Sequence, residues 1–345
     1  MIRIGVIGCG GIGVGKHMEE YRNVAEAKVV ALCDIDEKRL AEIGEKYGIA
    51  PAFRFTDYRA LLALPEIDAV DICTPNDSHV EIALEAVRRG KPFQVEKPVG
   101  TSYAQTRMLL DAANAAGIPT MVSFSYRFKP AVRYAKALID AGKIGRVHSI
   151  YANYLKESAL WEGRRLDWRF EKAIAQYGVS GDLGVHILDM IALLAGAYTG
   201  VFAQTGIVVK ERKRLHSEEI APVDTDDYCH FLAELAGGAS AMMGVTRAAM
   251  GNINHIRVEM YGERGGFRFD LNDDRHIEIM DACGQSRCED VPPQYVVGQQ
   301  QSFIDMLLGR EVPLLPTLED GVCMQRVLDG ILASAAERRW VAIGE

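Results

Sequence analysis

One short stretch constrains this chain more than any other. The apolar run Ile2–Ile7 is followed at once by Gly8-Cys9-Gly10-Gly11-Ile12-Gly13. A strand leading directly into G-x-G-x-x-G is built for a strand–turn–helix unit. The first glycine allows the tight turn. The second lets backbone approach a pyrophosphate, and the third lets helix and strand pack closely. Free N–H groups at the helix start, with Gly11 and Ile12 among the turn residues, then face the phosphates. The motif points to a dinucleotide.

The surrounding pattern agrees. Short apolar runs alternate with helical ones: strands at 28–33, 69–73, 93–95 and 120–124, helices at 36–47, 79–89 and 103–116. Gly48, Gly90 and Gly117 stand where helices end. Such alternation predicts an α/β fold whose N-terminal domain, 1–124, is a doubly wound parallel sheet with right-handed crossovers. The remainder, 125–345, reads as a C-terminal α+β domain. It has helices at 131–141, 182–194, 300–308 and 318–336, and strands and turns from 201 to 280. Gly237-Gly238 and Gly265-Gly266 read as hairpin turns. The expected second sheet is large, open and mostly antiparallel.

Beyond the glycine motif, three groups of residues can carry chemistry. Asp34 ends the second strand, about 20 residues beyond the glycine motif, where an acid can accept hydrogen bonds from the adenosine ribose. An acid there repels a 2′-phosphate and favours NAD over NADP. A cap for the helix that follows is the competing reading, and the spacing favours the ribose. Glu96-Lys97-Pro98 follows a strand, and the carboxyl ends of parallel strands are where open sheets bind ligands. A salt-bridged surface turn is the competing reading. On a helix, Asp182, His186 and Asp189 share one face. An imidazole there can move protons near neutral pH, although a helix cap and a packed histidine would look the same. Thr74-Pro75 ends the third strand.

Composition excludes several partners. The net charge is −8 over 345 residues, and a nucleic-acid surface normally shows a basic excess. The densest basic run, 210–214, is short and flanked by acids. Seven widely spaced cysteines without a CxxC pair suit neither a disulfide framework nor zinc, so no metal is expected. Free thiols suit a reducing, cytoplasmic setting. No membrane span is expected from the apolar runs.

Taken together, these residues resemble the Gfo/Idh/MocA oxidoreductases, the glucose–fructose oxidoreductase and inositol dehydrogenase group. The resemblance runs nearly end to end. It is carried by the opening stretch 4–10, Thr74-Pro75-Asn76 with His79, Glu96-Lys97-Pro98, Trp168-Arg169, the Asp182/His186 helix and the closing segment 316–321. It implies a Rossmann domain followed by a domain whose open sheet often mediates assembly, here a homodimer or homotetramer. It further implies that Gly8, Gly10 and Gly13 hold the pyrophosphate of NAD and Asp34 its adenosine ribose. Thr74, Pro75, Asn76, His79 and Glu96 would line the nicotinamide half. Lys97, Asp182 and His186 would be the catalytic trio, and Tyr154, Trp168 and Arg169 would complete the substrate pocket. The implied activity is oxidation of a secondary hydroxyl of a sugar or cyclitol by hydride transfer. A nucleotide-linked sugar or sugar acid is the alternative substrate, and a non-catalytic NAD-binding sensor the alternative of another class.

Two departures stand out. Relatives often place two residues between the last motif glycine and a histidine; here Val14, Gly15 and Lys16 precede His17. Before Asp182 the chain reads Gly178-Val179-Ser180-Gly181, where many relatives carry a glycine run.

Overall fold

A computed structural model describes residues 1–344 and divides the chain into two compact units. The first comprises Met1–Phe124 and Gly298–Val322; the second comprises Ser125–Val297 and Cys323–Glu345.

The first unit is built on six parallel strands: β1 (Ile2–Ile7), β2 (Ala27–Cys33), β3 (Arg54–Phe55), β4 (Ala69–Ile72), β5 (Phe93–Val95) and β6 (Thr120–Val122). Their order is β3-β2-β1-β4-β5-β6. Every residue of β4 and β5 is buried, as expected of strands covered on both faces. These strands are apolar apart from one buried polar residue each, Asp71 and Gln94. The order reverses at β1, so the crevice for a ligand opens between the carboxyl ends of β1 and β4. The residues after these two strands are the glycine turn and Cys73-Thr74-Pro75. Helix boundaries follow their caps: Asp36 accepts from Arg39 N–H, Ser102 from Gln105 N–H, and Gly117 closes its helix in the left-handed region.

The segment 298–322 was expected with the second domain, but its long-range partners lie in the first unit. Val122 N–H donates to Pro316 O at 3.0 Å, finishing the edge of β6. Arg310 grips Glu26 through both nitrogens, at 2.7 and 2.5 Å. Such pairings leave no local signal in sequence.

The second unit carries a nine-stranded sheet: β7 (Val147–Leu155), β8 (Tyr198–Gly206), β11 (Tyr228–Leu235), β12 (Ser240–Thr246), β13 (His255–Gly262), β14 (Gly265–Asp270), β15 (His276–Asp281), β16 (Ser286–Asp290) and β17 (Val341–Ala342). The short pair β9 (Glu211–Lys213) and β10 (Ile220–Pro222) stands apart. The order is β16-β15-β14-β13-β7-β12-β11-β8-β17. All neighbours are antiparallel except β7 and β12. Strict alternation of buried and exposed residues along β11 shows one face packed and one open.

Gly237-Gly238 forms a hairpin turn as expected, whereas Gly265-Gly266 opens β14 and the turn itself is Glu263-Arg264. Gly265 is needed for proximity: a Cβ there would lie 2.3 Å from Met280 O, at φ +150°. The stretch Lys172–Ala195 has mean hydropathy 1.4 over its most apolar window, enough for a membrane segment by composition, but 78% of that window is buried within the chain. That window is mostly core of the second unit, although its length and apolar composition were not anticipated from the sequence.

Candidate active site

In the first unit the glycines divide by task. A Cβ on Gly13 would lie 2.2 Å from Gly8 O, and one on Gly8 would lie 2.6 Å from the Cys73 backbone. These two glycines close the turn against β4. A Cβ on Gly10 or Gly11 would meet nothing within 4 Å, so the turn is an open cradle rather than a packed corner. Asp34, nearly buried, accepts the Cys9 N–H at 2.8 Å and the Asp36 N–H at 2.9 Å. Its carboxylate therefore stands at the wall of the cradle, and the cap of the next helix is Asp36 instead. Open glycine backbone beside a fixed carboxylate fits the pyrophosphate and ribose of a dinucleotide.

The loop after β4 is braced from behind. His79 is fully buried; one ring nitrogen lies 2.7 Å from Thr74 O and the other 2.9 Å from Pro98 O. It ties the Thr74-Pro75-Asn76 loop to the Lys97-Pro98 turn and presents no exposed atom. Ser78 Oγ donates within the same loop, to Thr74 Oγ1 or Pro75 O, each at 2.8 Å. Asn76 is buried, while Thr74 and Pro75 are partly exposed.

His17, left without a role by the sequence, is fully buried under the glycine turn. The residues Gly13–Met18 form a π-helical segment, whose wider turn accommodates one extra residue. His17 Nδ1 lies 2.9 Å from Asp71 Oδ2, and Nε2 lies 3.2 Å from Glu96 Oε1. Burial opposes charge on the ring, but the Asp71 carboxylate pushes it well above the usual histidine value. Glu96, which burial alone would raise, is instead brought down to about 2 by its bond to His17. Among the described residues, His17, Asp71 and Cys73 are the one group spaced like metal donors. Their atoms already bond to one another: Cys73 Sγ lies 3.3 Å from His17 Nδ1, and Gln94 Nε2 donates to Asp71 Oδ2 at 2.5 Å.

In the second unit, Asp182 lies in a π-helical segment, Ser180–Gly184, that passes into the α-helix Val185–Ala195. An ordinary helix from 182 was expected; the wider turn changes the i, i+4 facing of Asp182 and His186. Asp189 does not join them. It is buried in a paired salt bridge with Arg127, 2.6 Å at its shortest. Asp182 is partly exposed, and its Oδ1 lies 3.6 Å from Arg169 Nε. Arg169 in turn lies over the Trp168 ring at 4.3 Å. The predicted residues Trp168, Arg169 and Asp182 thus form one cluster.

Tyr154 and His186 are brought together through Tyr126, which the sequence reading missed. The Tyr126 ring is 4.5 Å from the His186 ring, and its hydroxyl is 2.8 Å from that of Tyr154. Tyr154 donates onward to Asn254 Oδ1 at 2.8 Å. Burial pushes both phenols above the ordinary tyrosine value, with the Asp182 charge adding to it. They are therefore neutral hydrogen-bonding groups beside the imidazole. Tyr126 sits in a four-residue 3-10 turn, Ser125–Phe128, too short for any periodicity to mark it.

Comparison with known proteins gives a consistent picture. Residues 2–124 match the model of an oxidoreductase family with an NAD-binding Rossmann fold, and residues 132–268 match the Gfo/Idh/MocA C-terminal domain. Levoglucosan dehydrogenase of Pseudarthrobacter phenanthrenivorans is 29% identical, covering 92% of this chain and 89% of its own. Inositol 2-dehydrogenase of Rhizobium meliloti is 26% identical, covering 99% of each. Among solved structures, an oxidoreductase domain protein from Kribbella flavida is 31% identical, with TM-score 0.90 and full coverage of both chains. Levoglucosan dehydrogenase in complex with NADH and levoglucosan superposes with TM-score 0.91 at 29% identity, again over the whole of both chains.

Proposed function

Because this chain belongs to the Gfo/Idh/MocA oxidoreductase family, we propose that it is an NAD-dependent dehydrogenase oxidising a secondary hydroxyl of a sugar or cyclitol. The observation that carries this reading is the open cradle at Gly10 and Gly11 with the Asp34 carboxylate fixed at its wall. Relatives named for levoglucosan and inositol support the substrate class.

When bound, the nicotinamide supplies the hydride acceptor. The chain supplies position and proton handling. Gly8 and Gly13 shape the turn, and Gly10, Gly11 and Ile12 meet the pyrophosphate. Asp34 receives the ribose hydroxyls. Thr74, Pro75 and Asn76 border the nicotinamide half, with His79 and Glu96 supporting that border. His186 takes the proton of the reacting hydroxyl as general base. Lys97 donates a hydrogen bond to the same oxygen and stabilises its developing negative charge. Asp182, beside Arg169, accepts from a neighbouring hydroxyl and orients the ring. Trp168 and Tyr154 offer aromatic surface, since a polyol ring presents C–H faces between its hydroxyls.

We also place the protein in the cytoplasm as a homodimer or homotetramer. All seven cysteines are free thiols, and the open sheet face exposes Tyr151, Leu232 and Met242 together on β7, β11 and β12.

The deciding experiment follows nicotinamide reduction by absorbance, with NAD or NADP against cyclitols, aldoses, anhydrosugars, sugar acids and nucleotide sugars. Reduction of NAD with one sugar or cyclitol class is expected. Turnover confined to nucleotide sugars or sugar acids would replace the substrate class. NAD binding without turnover of any member would favour a sensor.

A further inference from the structure

Two carboxylates lie buried in the first unit at the ends of neighbouring strands: Asp71 on β4, fully buried, and Glu96 directly after β5, its side chain 13% exposed. Removing carboxylates from water is costly unless a cation and hydrogen bonds compensate. Here a single ring does both. His17 Nδ1 binds Asp71 at 2.9 Å, and Nε2 binds Glu96 at 3.2 Å. Asp71 also accepts from Cys73 Sγ at 3.3 Å and from Gln94 of β5, whose Nε2 lies 2.8 Å from Gln300 Oε1 as well. His17 itself is delivered from the π-helical segment that follows the glycine turn. One imidazole thus joins three places: the turn of the cradle, the end of β4 and the end of β5. Lys97 is the residue after Glu96, and its charge is felt by that carboxylate.

We propose that His17 is a positioning residue for Lys97: by holding Glu96 against Asp71, it fixes the end of β5 from which Lys97 is presented and couples that strand end to the glycine turn. The proposal rests on the reading of Lys97 as the group acting on the substrate oxygen. It explains why the extra residue before His17 is absorbed by a π-helical turn. An uninterrupted α-helix would rotate His17 about 100° off this face, leaving both carboxylates uncompensated. The ring is held cationic, since Asp71 raises its proton affinity against the effect of burial. Glu96 is correspondingly anionic, with its proton affinity lowered to about 2.

The test reads Lys97 directly, without needing a substrate. The rate of amine acetylation at Lys97 is measured by mass spectrometry against pH in wild type, H17Q, E96Q and H17Q/E96Q, with thermal unfolding recorded for each. Losing the His17 cation frees Glu96 toward Lys97. H17Q should therefore move the labelling midpoint of Lys97 upward by about half a pH unit or more. In the E96Q background the same substitution should move it by less than half as much, because the path runs through Glu96. Where a substrate has been found, H17Q should also lower kcat about tenfold or more with little change in NAD affinity. An unchanged labelling midpoint in a folded H17Q protein, or equal shifts in both backgrounds, would overturn the proposal. If H17Q alone does not fold, D71N/H17Q removes the orphaned buried charge and carries the same comparison. A wild-type protein inactive on every polyol would count against the dehydrogenase reading, while the labelling arms would still decide the role of His17.

Discussion

Arg39 lies across Asp34, its Nη1 3.3 Å from each carboxylate oxygen. The two charges therefore stand together where an adenosine ribose would be received. Asp34 is tied to the turn through Cys9, so in the proposed site its repulsion of a 2′-phosphate would be fixed in place. The Arg39 side chain is half exposed and would remain once the acid is removed. D34S should lower kcat/KM for NAD about 10- to 100-fold, the worth of charge-assisted hydrogen bonds. It should raise the value for NADP, because a guanidinium pairs well with phosphate. Steady-state kinetics with both cofactors checks this, and an unaltered preference would remove Asp34 from the ribose site.

The glycines of the turn should separate stability from binding. G13A forces a Cβ to within 2.2 Å of Gly8 O, so the backbone must shift, at a cost of about 1–3 kcal/mol. G10A meets nothing in the protein. It should leave the unfolding midpoint nearly unchanged and weaken NAD binding at least tenfold by occupying the phosphate position. Calorimetric unfolding and NAD titration of both variants distinguish the two. A G10A protein that binds NAD normally would place the pyrophosphate elsewhere.

The first sheet was legible because its central strands, β1, β4 and β5, are mostly buried and each runs into a glycine or proline within three residues. Residues such as Gly48 and Gly117 mark boundaries locally. The two-residue β3 and the Tyr58–Leu62 helix were missed, being too short for any period to register. The return of 298–322 to the first unit depends on Pro316 O and Gln300 meeting partners far away in sequence. Gly8, Gly13 and Asp34 meet at the turn as spacing along one strand–turn–helix unit predicts. Tyr126 could not be placed this way, since its value lies in two contacts, to His186 and Tyr154, that only folding creates. The setting of His17 was hidden for a related reason. A π-helical turn is an insertion read as a helix, and sequence spacing alone cannot tell which way the following side chain then points.

Substitution of either Lys97 or His186 should cost turnover and spare NAD binding. A general base contributes about 10²–10⁴ to turnover, so H186N should lower kcat by that range while NAD binding is retained. H186N also keeps a polar group beside Tyr126, limiting repacking. K97A should lower turnover far more than NAD affinity, because Lys97 is assigned to the reacting oxygen rather than to the cofactor. Pre-steady-state reduction and NAD titration give both quantities. Equal losses of turnover and NAD affinity in K97A would sink its catalytic assignment.

The helix carrying Asp182 begins on a titratable support. Asp226 accepts the Val179 N–H at 3.2 Å, just ahead of the π-helical segment. Burial raises its carboxyl to about 7 from an ordinary value of 3.8. The folded state therefore binds this proton more tightly than the unfolded chain does. Its contribution to stability is fully present below pH 4 and is lost as pH rises through 7. Between pH 5 and 8 the unfolding midpoint of the wild type should fall by roughly 5 °C more than that of D226N. Asparagine keeps the carbonyl oxygen that Val179 needs, so the helix start survives while the titration disappears. Scanning calorimetry of both proteins across this window isolates the group from every other carboxylate. Parallel slopes would mean that Asp226 is already ionised in the folded protein, and the support of the Asp182 helix would then be insensitive to pH.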